Sequence, residues 1–75
     1  MSAAKASRLA HMAQQIADAF RTLPPEEGAA AVAAHINQFW PPMMRRELVG
    51  DVGPDARALD PLVMRALAQI RVPAE

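Results

Sequence analysis

Apolar residues recur in the first third of the chain at Leu9, Met12, Ala13, Ile16, Ala17 and Phe20, while Arg8, His11, Gln15 and Asp18 fall between them. Three-and-four spacing of this kind puts one side of an α-helix against a core. Thr22-Leu23-Pro24-Pro25 stops the helix, because proline has no N–H to continue it and disfavours helical geometry in the residue before it. Pro25 then suits the first position of a second helix, with Glu26 and Glu27 in a first turn where carboxylates favour the macrodipole. So short a connection predicts an antiparallel helical hairpin. The second helix presents Ala29, Val32, Ala33, Ile36, Phe39 and Trp40 on one side, and its many Ala residues let a neighbouring helix approach closely.

The helix cannot continue through Pro41-Pro42, so the chain turns a corner near Trp40. Beyond it, Met44, Leu48 and Val49 predict a third helix with Pro42 in its first turn, ending near Gly50. Asp51 to Ala58 reads as a loop around the turn signature Gly53-Pro54-Asp55. A fourth helix has the clearest start. Asp60 is a capping residue, Pro61 fits the first helical position, and Leu59 can pack on Met64 as a hydrophobic staple. Leu62, Val63, Ala66, Leu67 and Ile70 form its stripe, and Pro73 ends it. The fold class is all-α: a small single domain spanning residues 1–75, with about four helices.

Composition makes that core thin. The chain has 75 residues, and Ala, which buries little area, accounts for 17 of them. The larger apolar side chains return about 1.5–3 kcal/mol each when fully buried, a sum comparable with the entropy lost in ordering so short a chain. A partner surface would add to it. Formal net charge is zero, with eight basic and eight acidic residues, so there is no broad attraction for nucleic acid or anionic lipid. No run approaches the roughly 20 apolar residues that cross a bilayer, and there is no signal-peptide pattern. Cysteine is absent, which excludes disulfides and thiolate-held metals from this chain and makes an intracellular location the simplest reading.

The search for chemistry returns little. His11 falls nearly opposite the Leu9/Ile16/Phe20 stripe and His35 lies on the flank of its own helix, so the two rings diverge and read as surface or interface histidines. Ser2 and Ser7 have no Asp–His pair beside them. Glu26-Glu27 reads as a dipole-stabilising pair, and three scattered glycines make no phosphate loop. These observations predict no catalytic, cofactor-binding or metal residue. The strongest local signal is instead the proline corner. Aromatic, Met and Arg residues are favoured at binding surfaces, and Phe39, Trp40, Met43, Met44 and Arg45 gather all three types as candidate partner contacts. Arg46 and Arg65 read as solvated, with interface anchoring as the alternative.

Three blocks, Arg8-Leu9-Ala10-His11-Met12-Ala13-Gln14-Gln15-Ile16, then Val32 through Arg45 with its Phe39-Trp40-Pro41-Pro42-Met43-Met44 centre, then Leu59-Asp60-Pro61-Leu62-Val63, occur in that order. In this the chain resembles the delta subunit of NAD-dependent, molybdenum-containing formate dehydrogenases, over roughly Arg8 to Arg71. The resemblance implies a non-catalytic accessory subunit of a soluble cytoplasmic complex that oxidises formate to carbon dioxide with NAD⁺ as acceptor. It further implies partners: a large alpha subunit holding bis-molybdopterin guanine dinucleotide and iron–sulfur clusters, and beta and gamma subunits holding FMN, further clusters and the NAD site. The expected role is to bind and stabilise the large subunit or its assembly. Two readings of other classes stand beside it: a transient maturation factor for cofactor insertion, and a small helix-turn-helix DNA-binding protein, against which the neutral charge argues.

Overall fold

The computed structural model describes residues 2–52 and 59–72, with side-chain surroundings for 8–50 and 59–72. Helix α1 runs Ser2–Ala19, α2 Pro25–Phe39, α3 Pro42–Glu47 and α4 Pro61–Leu67; a π-helical turn, Leu48–Val52, follows α3 directly. Among the described residues there is no strand, and the domain is all-α. Each of α2, α3 and α4 begins with a proline in its first turn, as the chain's proline placement predicts. Of these three, only α4 has a side-chain cap, from Asp60, whose Oδ1 accepts from the Leu62 N–H at 2.8 Å.

The centre of the core is built from Val32 and Ile36 of α2, Leu48 of the π-helical turn and Val63 of α4, all fully buried. Leu9, Ala10, Ala13 and Ala17 bring the inner side of α1 to this centre, while Met12, Ile16 and Phe20 pack half-buried at its edge. The most extensive packing of α2 is with α4 rather than with α1, and α1 in turn leans on the π-helical turn. Small residues make this convergence possible. A side chain at Gly28 would bring its Cβ to 3.1 Å from the Phe20 carbonyl oxygen and 3.3 Å from Leu62 Cδ1, so the start of α2 is wedged between the end of α1 and the start of α4.

Three expectations need correction. Phe39 does not join the buried side of α2; it stands 63% exposed, while the adjacent Trp40 is only 7% exposed. Trp40 keeps helical phase, one turn beyond Ile36 whose carbonyl its N–H still reaches at 2.9 Å, and enters the core, whereas Phe39, at the edge of the same side, lies against the His35 ring. Gly50 does not end the third helix. Its φ is not positive, and the chain widens into a π-helical turn through Leu48–Val52 instead of adopting the left-handed stop that glycine permits. The fourth α-helix ends at Leu67, earlier than its stripe suggests. Its end tightens, Gln69 N–H donating to the Ala66 carbonyl and Ile70 N–H to that of Leu67, and this still delivers Ile70 to the core. The Gly53-Pro54-Asp55 turn and the Pro73 stop lie outside the described residues.

Candidate functional site

The proline corner is built on backbone that proline fixes. Trp40 N–H donates to the Ile36 carbonyl at 2.9 Å, the last bond of α2; Pro41 is extended at φ −60°, ψ 153°, and Pro42 opens α3. Trp40 and Leu48 anchor the two sides of this corner in the core. What remains outside is apolar. Met43 is 64% exposed, Pro41 and Pro42 are exposed, and the Phe39 ring sits against the His35 ring with centroids 4.7 Å apart and planes tilted by 43°.

The five residues expected to meet a partner are therefore brought to one corner but not to one surface. Phe39 and Met43 face solvent, Trp40 is buried, and Met44 and Arg45 are half-buried, with Met44 packed on the core. Arg45 Nε is buried and finds no hydrogen-bond partner among the described residues. His11 is exposed on α1, and His35 is occupied by its ring contact with Phe39. Among the described residues no three His, Cys, Asp or Glu side chains gather where they could hold a metal ion, and the chain supplies no cysteine for an iron–sulfur cluster. No helix among them is long and apolar enough to cross a membrane.

Two polar arrangements went unread in the sequence. Arg21, just past α1, reaches Asp60 at the start of α4 with both arms of its guanidinium, Nη2 to Oδ2 at 2.5 Å and Nη1 to Oδ1 at 3.2 Å, while its Nε donates to Asp18 at 2.7 Å. This fork holds the Asp60 carboxyl below the usual carboxylate range against the opposing effect of partial burial, with the Leu62 N–H assisting. The 39-residue separation of Arg21 and Asp60 leaves no local signal for the pairing. Second, Asn37 clamps the segment after α4: its Nδ2 donates to the Gln69 carbonyl at 3.0 Å, and its Oδ1 accepts from the Arg71 N–H at 2.7 Å. Between that segment and the outer side of α2 lies an open groove of about 400 Å³, lined by Ala30, Ala34, Gln38 and Arg71 among others.

Neither arrangement has the parts of a catalytic centre; a nucleophile with a base, or convergent acid and base in an enclosed cleft, would be required. What remains is the exposed apolar side of the proline corner, Phe39 and Met43. A family model described as NADH-dependent formate dehydrogenase delta subunit FdsD matches residues 8–67, more than half of the chain. No curated protein matches the chain, and no solved structure does. The chain belongs to the delta subunit family of NAD-dependent formate dehydrogenases, and its setting is a multi-subunit formate dehydrogenase complex.

Proposed function

We propose that this delta subunit is a non-catalytic accessory chain that docks on the large molybdenum-containing alpha subunit of a soluble cytoplasmic formate dehydrogenase and stabilises its cofactor-loaded form. The observation that carries the reading is the pairing of Phe39 and Met43, 63% and 64% exposed, on a corner whose backbone is held rigid by Trp40 and two prolines. Exposed neighbouring apolar groups on a small domain mark a contact surface, and preorganisation lowers the entropy lost on binding. Covering both side chains returns about 1–2 kcal/mol each, given that roughly two-thirds of each is open to water. Arg45, half-buried behind them, adds a charge at the rim of the same corner.

The cofactors of the reaction belong to the partner chains in this reading. Bis-molybdopterin guanine dinucleotide, iron–sulfur clusters, FMN and NAD would sit in the alpha, beta and gamma subunits, because this chain offers neither cysteine ligands nor a clustered donor set among its described residues. Its own residues act by binding. Anything that binds only the native alpha subunit raises that subunit's stability through mass action, by about 2.7 kcal/mol at a concentration one hundred times the dissociation constant.

The test is a gentle isolation of the tagged chain from its host, followed by native mass spectrometry and an assay of formate-dependent NAD⁺ reduction. Stoichiometric recovery with active subunits is the expected result. Recovery solely with inactive, cofactor-free enzyme would replace the accessory role with that of a maturation factor.

A further inference from the structure

The large apolar side chains exposed among the described residues are Leu23, Phe39, Met43 and Val72, and of these only Met43 carries an atom that a mild oxidant attacks. Its surroundings differ from those of the other described methionines. Met12, Met44 and Met64 are half-buried and packed against the core, whereas Met43 is 64% exposed. The chain has no cysteine, so no thiol competes for the oxidant, and its one indole, Trp40, is buried. The sulfur most open to attack therefore stands on the surface already identified as a contact.

We propose that Met43 is an oxidation site that regulates docking: a peroxide converts its thioether to the sulfoxide in the free chain and so blocks the proline corner, while the docked chain is shielded. The inference rests on the docking reading above and adds its regulation. In the chemical step a sulfur lone pair attacks one oxygen of hydrogen peroxide, and the S–O bond forms as the O–O bond breaks. The departing hydroxide takes the proton from the transferred oxygen and leaves as water. The thioether gives up two electrons and the peroxide gains them.

Placement decides what the added oxygen does. A sulfoxide is polar and accepts hydrogen bonds where the thioether is apolar. At Met44 that change would fall against the core; at Met43 it falls in water, and the fold is left as it was. The backbone there is set by other groups, since Pro42 opens α3 and Arg45 N–H donates to the Pro41 carbonyl at 3.1 Å. The cost arises on docking, when the polar S–O group is taken from water into an apolar contact. Phe39 is then the one large apolar side chain still exposed at the corner. Methionine sulfoxide reductases return the thioether, a dithiol becoming a disulfide and the oxygen leaving as water, so the block is reversible.

The experiment treats the tagged full-length chain, and separately the co-expressed complex, with hydrogen peroxide and reads each methionine by peptide mass spectrometry. Met43 of the free chain is expected to oxidise roughly tenfold faster than Met12, Met44 or Met64, and to be protected in the complex. The oxidised chain, its helix content unchanged by circular dichroism, is expected to recover the alpha subunit from cells expressing the other subunits at roughly a tenth of the untreated level. A methionine sulfoxide reductase with a dithiol is expected to restore recovery. Met43→Leu should recover the alpha subunit before and after peroxide, which assigns the effect to this sulfur because every other methionine is still present. Full recovery with the sulfoxide at Met43, or equal peroxide sensitivity of Met43→Leu and the native chain, overturns the proposal. If the treated chain loses helix content, Met43→Gln decides the matter without peroxide, glutamine being polar, of similar length and a good helix former: a loss of recovery to roughly a tenth is expected, and undiminished recovery overturns the proposal. Phe39→Ser abolishing recovery while the sulfoxide form docks in full removes the oxidation site and leaves corner docking in place. Full recovery with Phe39→Ser, together with equal oxidation of Met43 in the free chain and the complex, removes the docking reading itself.

Discussion

Helices α3 and α4 both begin with a proline, yet they are held by opposite means. The start of α4 is a polar lock: Asp60 caps Leu62 N–H at 2.8 Å and is gripped by the Arg21 fork, and Gly28 lets α2 close over it. The start of α3 has no side-chain cap. It is held by what lies on either side, Trp40 before it and Leu48 after it, both in the core. A polar lock satisfies its own groups and leaves little for a partner. A corner held by buried anchors leaves its outward side chains exposed, and here those are Phe39 and Met43. The polar lock and the proposed contact thus lie at opposite ends of α2, and substitutions should separate them.

The largest effect belongs to the buried anchor of the corner. Trp40→Ala should cost about 3–5 kcal/mol in urea unfolding, through the cavity it leaves, and should reduce alpha-subunit recovery only as far as the chain unfolds. A folded Trp40→Ala variant that fails to dock would place the indole in the contact and erase the contrast. Next comes the close approach at the other end. Gly28→Val should cost about 1–3 kcal/mol, because its branched side chain meets the Phe20 carbonyl and Leu62, of which the first cannot rotate away.

The polar lock should respond less, and to pH. Asp60→Ala removes the cap and should cost about 1 kcal/mol. Asp60→Asn can still cap but cannot ionise, which isolates the charge. Since the folded chain holds Asp60 below its unfolded value near 3.9, its contribution is fully present above about pH 4 and is lost as pH falls through the lower, folded value. Thermal melts of Asp60→Asn should accordingly show a flatter decline below about pH 4 than the native chain; parallel declines would assign the acid sensitivity to other carboxylates. Smallest of all in stability is Phe39→Ser, within about 0.5 kcal/mol for an exposed position. Its effect should appear in alpha-subunit recovery alone.

How much of this was legible follows from the range of each interaction. The four helices, their proline starts and the Asp60 cap depend on neighbours within a few residues, and the sequence pattern locates them. The apolar sides of α1 and α4 follow from periodicity for the same reason. Periodicity holds at Trp40 and fails at Phe39: a helical wheel puts both on the buried side, but Phe39, at the edge of that side, stands exposed against His35. The Gly50 stop fails because glycine permits a left-handed cap without requiring one. Arg21 with Asp60, and Asn37 with residues 69 and 71, are contacts between distant segments that no local spacing encodes.

Asn37 grips its neighbour solely through main-chain atoms, the carbonyl of residue 69 and the N–H of residue 71. Every amino acid except proline offers the same N–H, and all twenty offer the carbonyl. The clamp is therefore indifferent to the identity of the side chains it positions, so positions 69 and 71 can drift, or be diversified in a library, without loosening the end of α4.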